Sequence, residues 1–478
     1  MRYLLCLIII FVTLQVQAQE QRHQTSPATE VRAAWLTTNW RLDWPKSQSV
    51  EAQKNELREI LDELQRLKFN VILFQARAQG KVFYRSTLEK PSPYFNSSNG
   101  FDPLAFAIAE CHIRGMECHA WITTFPVESI RRSKRGAILE KHPSFYKQDR
   151  AHWFMDPGRP ETKNHLVLIA KEITTNYDVD GIHLDYIRYP DDARKFRDQD
   201  TYQKYGNGKP KDQWRRDNVT NIVYAIYDAV KATKPWVQVS SAPIGKYKPL
   251  NNYDWTGYET VHQDAKRWIA EGKHDILFPM LYFEGNDFYP YIEEWNREKN
   301  RPIVPGLAVY KLEESEKNWS LSLLEDQLQF IREKQTDGQA FFRTEQLVKN
   351  KKGIKSSIEL FYKHPAKLPP MTWLKNSQPL QPQNLRVTKD EKGYLNIEWT
   401  APSDDERYTY NIYWGTKDAL ESENASKLLV ANLRKNSYSF PANVGEYGLY
   451  YFVTASDRYH IESESAESVF FVHSAEVH

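Results

Sequence analysis

The chain of 478 residues is poor in cysteine, with only Cys6, Cys111 and Cys118. That scarcity argues against a disulfide-dense scaffold. No glycine-rich loop follows the first strand-like run, so a doubly wound nucleotide-binding sheet is disfavoured. No H-x-H or HExxH spacing supplies a metal-ligand set, and neither a metal nor a cofactor is expected. Charge of one sign is also lacking. Lys plus Arg number 64 against 62 Asp plus Glu, a formal net charge of +2, with no long run of either. A nucleic-acid partner would need a concentrated basic face, so none is expected.

Long apolar runs are absent except at the start. MRYLLCLIIIFVTLQVQAQ has Arg2, an apolar stretch from Tyr3 to Leu14, and a small-residue cleavage pattern at Val16-Gln17-Ala18. This reads as a signal peptide over 1–18, too short to span a bilayer, and predicts a periplasmic or extracellular protein with no transmembrane segment. Cys6 lies inside the apolar region, too early for lipid attachment. Cys111 and Cys118 are expected as buried free thiols, with a disulfide between them as the alternative in an oxidising compartment. What the chain has in abundance is aromatic: 14 Trp and 28 Tyr, within 41% hydrophobic and 26% charged residues. Such a composition buries a large core and suits stacking on sugar rings.

Eight strand-like runs fall at 31–38, 70–77, 117–124, 180–187, 237–244, 275–283, 303–310 and 338–344. Helical patterns lie between them. Leu57, Ile60, Leu61, Leu64 and Leu67 form one stripe, and Asp102-Pro103 opens a helix that Gly115 stops. Further helical patterns follow at 161–176, 217–233, 261–271 and 322–335. This alternation predicts an α/β fold, a (β/α)8 barrel over 30–362. A proline-rich stretch, 363–383, reads as a linker. Beyond it, NLRVT, YLNIEWT, TYNIYWG and LYYFVTASD are short strands. With Trp399, Tyr450 and Tyr451 they resemble a fibronectin type III sandwich over 384–475. That module is expected to be dispensable for chemistry.

Catalytic groups of such barrels stand at the C-terminal strand ends, and inward-facing residues recur at every second position. In the fourth strand His183 and Asp185 share the inward parity of Gly181. Gln75 and Arg77 share a face in the second strand, as do His119 and Trp121 in the third. In the sixth, Met280, Tyr282 and Glu284 line up. An unpaired buried carboxylate is costly, so Asp185 is either neutralised or placed for use. Its neighbours His183, Arg77 and Arg188 could hold it ionised as nucleophile or base.

Together VRAAWLTTNWRLDWP, FNVILFQARAQGKVFY, GFDPLAFAIAECHIRGMECHAWI, DPG at 156–158, YDVDGIHLDYIRYP, QWRRDNV and VPGLAVYK resemble the glycosyl-hydrolase-like family related to xylanase-type barrels. Its bacterial members include a divisome-associated peptidoglycan glycosidase. The resemblance spans 30 to about 345 and implies a glycosidase acting on an oligosaccharide or polysaccharide, peptidoglycan glycan strands among them. It implies that Asp185, the match to the family's acidic residue at the end of the fourth strand, is catalytic, with Gln75, Arg77, Trp121 and His183 in the same cleft. His119, Arg188 and Tyr282 are expected there as substrate contacts from the residue pattern.

Two departures stand out. Many relatives carry two adjacent acids where this chain has Asp185-Tyr186, and the sixth strand ends in Tyr282-Phe283-Glu284 rather than the common Tyr-Trp. The second carboxylate is expected to be Glu284, with Asp264 and Asp287 as alternatives. Paired carboxylates would hydrolyse a glycosidic bond. The competing readings are a substrate-assisted N-acetylhexosaminidase and a non-catalytic glycan-binding barrel.

Overall fold

The computed structural model describes residues 26–95, 100–131, 145–149, 152–250, 255–297, 299–403, 407–442 and 448–472. The expected signal peptide, with Cys6, lies outside the described residues. Fully buried runs form the parallel strands β1 (Val31–Leu36), β2 (Val71–Ala78), β3 (Glu117–Thr123), β4 (Gly181–Asp185), β5 (Gln238–Ser241), β6 (Ile276–Leu277), β7 (Gly306–Leu307) and β8 (Gly338–Phe341). Their order is β6-β5-β4-β3-β2-β1-β8-β7. Parallel bridges Leu277–Ile303 and Met280–Gly306 join the two ends and close the barrel. The last strands are shorter than the sequence runs. Pro279 and Pro305 interrupt the runs at β6 and β7, and a proline has no N–H for the ladder.

Helices form the outer ring: α1 (Val50–Arg66), α2 (Pro103–Ile113), α3 (Pro160–Asn176), α4 (Lys211–Thr233), α5 (Ala265–Ala270), α6 (Tyr289–Asn296), α7 (Leu321–Glu333) and α8 (Ile354–Phe361). α1 buries Leu57, Leu61 and Leu64 of the predicted stripe. α2 begins as predicted, the Asp102 carboxylate accepting from the Ala105 N–H at 3.1 Å. Inside the barrel, Trp35, Leu73, Trp121, Phe278, Val304 and Ala340 fill the lumen. Cys111 and Cys118 are free and buried.

The C-terminal unit comprises β9 (Gln383–Lys389), β10 (Tyr394–Thr400), β11 (Thr409–Gly415), β12 (Leu428–Leu433), β13 (Ser437–Pro441), β14 (Leu449–Ser456), β15 (Glu462–Ser465) and β16 (Val469–Phe471). One sheet is β9-β10-β13; the other is β12-β11-β14-β15, with β16 also on β14. Trp399 packs edge-on against Tyr410 at 5.1 Å in its core.

The proline-rich stretch does more than connect. Leu368 joins the lumen cluster of the barrel, Met371 is buried, and Trp373 Nε1 donates to Asp275 at 3.0 Å. These apolar residues, interspersed among the prolines, cover the barrel floor. His460 and Arg434 of the sandwich reach the same floor, at Glu117 and Asp180.

Candidate active site

β4 carries the residues from which the site is built. At its start, a Cβ on Gly181 would lie 2.5 Å from His119 Nδ1, so only glycine lets that imidazole lie across the lumen. Two residues on, His183 is fully buried. Its Nε2 accepts from Trp35 Nε1 at 3.1 Å, which leaves Nδ1 to donate to Ser240 Oγ at 2.9 Å. Burial pushes the imidazole well below its ordinary range, and His119 and His274 add to this. His183 is therefore a neutral, locked layer beneath the mouth.

Asp185 ends the strand, 7% exposed. Trp121 Nε1 donates to its Oδ2 at 3.1 Å and the Tyr186 N–H to its Oδ1 at 2.7 Å. Its carbonyl accepts from the N–H and the hydroxyl of Thr124, both at 2.9 Å. Burial raises the carboxyl to about 6, against the partial relief of the Tyr186 N–H and the Arg188 charge. Tyr186 itself sits at φ +52°, a left-handed conformation that a bulky residue adopts only under constraint. Arg188 pairs with Asp191 at 2.7 Å and lies 4.6 Å from the Tyr186 ring and 5.9 Å from that of Trp255. A cleft of about 620 Å³ opens here, its walls including Tyr146, Trp153, Tyr186, Arg188 and Arg197.

Tyr282 stacks on Phe342 at 5.6 Å. Burial and then the Asp185 charge raise its hydroxyl above the ordinary range, so the phenol stays protonated. Glu284 follows on the rim, exposed, and among the described residues its side chain makes no hydrogen bond or ion pair. The other two acids are engaged: Asp264 accepts from the Tyr247 hydroxyl at 2.6 Å, and Asp287 pairs with Lys246 at 2.6 Å. Among the described residues, no cluster of His, Cys, Asp and Glu could hold a metal ion.

Residues 30–320 match the family model described as Glycosyl hydrolase-like 10. The chain belongs to this family. It is 30% identical over 510 residues to "Glycosyl hydrolase YngK" of Bacillus subtilis (strain 168), covering 98% of each chain. It is 28% identical over 329 residues to "Glycosyl hydrolase DigH" of Escherichia coli (strain K12), covering 60% of this chain and 75% of that one. Two solved structures share the barrel fold at 12% identity and a TM-score of 0.50. One is the PgaB (BpsB) glycoside hydrolase domain from Bordetella bronchiseptica, aligned over 70% of this chain and 99% of that one. The other is the catalytic domain of a β-amylase from Paenibacillus polymyxa, aligned over 70% and 98%.

Within this glycosyl-hydrolase-like barrel, Asp185, Trp121, Tyr282 and Arg188 come together at the mouth, above His183. Three expected substrate contacts do not. His119 pairs with Gly181 in register and bonds Glu117 at 3.0 Å on the floor. That level is four residues below Asp185, about 13 Å along the strand. Alternation correctly points His119 inward but does not set its height.

Arg77 is displaced by a bulge. Gln75 pairs with Trp121, but Arg77 pairs with Ile122, so one extra residue of β2 turns the guanidinium to the outer face. There it forms a bidentate pair with Glu89, at 2.7 Å on both nitrogens, and ties the carbonyls of Thr123 and Thr124. Gln75 holds a loop: its Oε1 accepts from the backbone of Thr38 at 3.0 Å and Asn39 at 2.8 Å.

Other contributors escaped the sequence reading. Trp35 and Ser240, which set the His183 tautomer, lie on strands whose inward parity could have flagged them. Glu89 and His165, bonded at 2.9 Å, come from a loop and a helix and carry no pattern. Asp156 of the DPG motif is a second carboxyl raised by burial to about 6, but Thr201 Oγ1 at 2.5 Å and the Gly158 N–H at 3.0 Å enclose it completely.

Proposed function

We propose that the protein is an exported glycoside hydrolase that cleaves glycosidic bonds in a bacterial cell-wall-type or related polysaccharide. Asp185 is its acid–base residue and Glu284 its second carboxylate. The observation that carries this reading is the Asp185 carboxyl. It is buried at the C-terminal end of a barrel strand, held by two donors and raised to about 6, yet among the described residues it forms no ion pair with a guanidinium. Such a group can give a proton to a leaving glycosidic oxygen and take one from water near neutral pH. Glu284, unengaged on the rim, stabilises the developing positive charge at the anomeric carbon or serves the second half of the reaction. Arg188 and Trp121 line the approach and orient the sugar.

Export rests on the N-terminal leader pattern and fits a substrate outside the cytoplasm. Among the described residues no helix is long and apolar enough to cross a membrane. The test is incubation of the purified protein with denuded peptidoglycan glycan strands, with products read by mass spectrometry. Release of shorter sugar fragments supports the proposal. Binding without product would leave the glycan-binding barrel as the better reading.

A further inference from the structure

Among the described residues of the barrel, three aromatic side chains stand out in solvent, and all follow C-terminal strand ends. Trp40 after β1 is 64% exposed, Tyr186 after β4 is 41% exposed and Trp255 after β5 is 38% exposed. An uncovered tryptophan forfeits the gain of burial, and apolar surface kept open on a face with clefts marks a binding groove.

Trp40 is presented, not merely loose. Its loop is pinned from below by Gln75, through the backbone of Thr38 and Asn39, and beside it Arg41 Nε donates to the Pro45 carbonyl at 2.8 Å. Trp40 and Arg41 are both held at φ +58°. At the other end the Trp255 indole is fixed by donation to the Asp191 carbonyl at 3.0 Å, while Arg188 lies near both it and Tyr186.

Two clefts lie along this face, one beside Trp40 and one beside Tyr186, the residue that follows Asp185. One of about 290 Å³ is lined by Trp40, Tyr94, Val127, Glu128 and Ser129. The other, of about 620 Å³, takes in Pro126, Tyr186 and Arg188. The single strand Pro126–Ser129 thus borders both, and it begins two residues after Thr124, whose N–H bonds the Asp185 carbonyl. β1 to β5 are neighbours in unbroken order. Four strand spacings separate the first from the last, about 19 Å of rim, enough for several pyranose rings.

We infer that Trp40, Tyr186 and Trp255 form one track on which an unbranched polysaccharide lies across Asp185, with Trp40 as the platform farthest from the cleaved bond. The inference rests on the glycosidase reading above. It implies cleavage within chains, because sugars are gripped on both sides of the acid.

The test uses the full mature chain, wild type and Trp40→Ala, with chitooligosaccharides from the dimer upward and denuded glycan strands as probes. In the wild type kcat/KM should climb with chain length. In Trp40→Ala the ratio of long- to short-substrate kcat/KM should fall up to about 10-fold, the scale of one lost aromatic contact. The melting temperature should not move. An unchanged length dependence in Trp40→Ala overturns the track. If the wild type cleaves none of these glycans, the glycosidase reading fails by itself. Calorimetric affinity then decides the track: a rise with length that Trp40→Ala abolishes supports it, and a flat series overturns it.

Discussion

Glu117, on the barrel floor, accepts a 2.6 Å hydrogen bond from Nε2 of His460 in the sandwich. The other ring nitrogen of His460 bonds the Pro369 carbonyl at 3.0 Å, so both nitrogens donate and the ring is an imidazolium. Glu117 also meets His119 and Gln238, each at 3.0 Å, and Asp180 nearby pairs with Arg434 at 2.7 Å and His112 at 2.8 Å. Burial opposes the charge on His460, but Glu117 and the Pro369 carbonyl hold its pKa above the ordinary value.

His460→Ala should therefore cost about 3–5 kcal/mol, because it strips a buried carboxylate of its cation. The pH dependence has a definite sign. A raised folded-state pKa gives stability that is complete below the unfolded value and disappears as pH rises through the folded one. Melting temperature against pH should fall more steeply on the alkaline side in wild type than in His460→Ala. The same contacts change the expectation of a dispensable sandwich. Truncation near Pro370 removes Met371, Trp373, Arg434 and His460 from the floor, and the truncated barrel should melt well below the intact chain.

Glu284→Gln should lower turnover by about 100-fold or more, the scale of one acid–base group, with no loss of stability. Its side chain is exposed and, among the described residues, makes no hydrogen bond or ion pair, so little of the fold rests on its charge. Thermal melts and steady-state rates check both halves. Full activity in this variant would favour assistance by a substrate N-acetyl group. Asp264→Asn and Asp287→Asn should act mainly through the lost Tyr247 and Lys246 contacts.

Mass spectrometry of the protein recovered from its native host should find a chain beginning near Gln19. The leader pattern over 1–18 supports this expectation. A retained Met1, or a lipid on Cys6, would remove the basis for export.

The barrel was legible because its strands alternate with helices whose stripes and caps are local. The inward, buried position of Asp185 was legible for a related reason: a carboxylate at alternating spacing inside an apolar run faces the lumen. Arg77 was not, because a one-residue bulge reverses parity without a compositional mark. His119 faced the predicted way at the wrong height, since periodicity along a strand says nothing of depth in a barrel. The floor contacts were illegible because Glu117 and His460 meet only once the proline-rich stretch has folded back.

Asp185→Asn separates catalysis from structure most sharply. Arg77 is spoken for by Glu89 and Arg188 by Asp191, so neutralising Asp185 leaves neither guanidinium without its carboxylate. The gap between the ordinary 3.8 and the folded value of about 6 corresponds to about 3 kcal/mol. Stability from this raised carboxyl is complete below pH 3.8 and is lost as pH rises through about 6. At pH 8 the wild type bears the cost of a buried charge that asparagine avoids. The variant should therefore melt higher than wild type at pH 8, by up to about 3 kcal/mol in stability, and close to it at pH 4. Turnover should fall at least ~100-fold at every pH. In wild type, kcat/KM should decline above pH 6 if the protonated acid is the working form. A variant that melts lower yet turns over glycan normally per folded molecule would remove Asp185 from the chemistry.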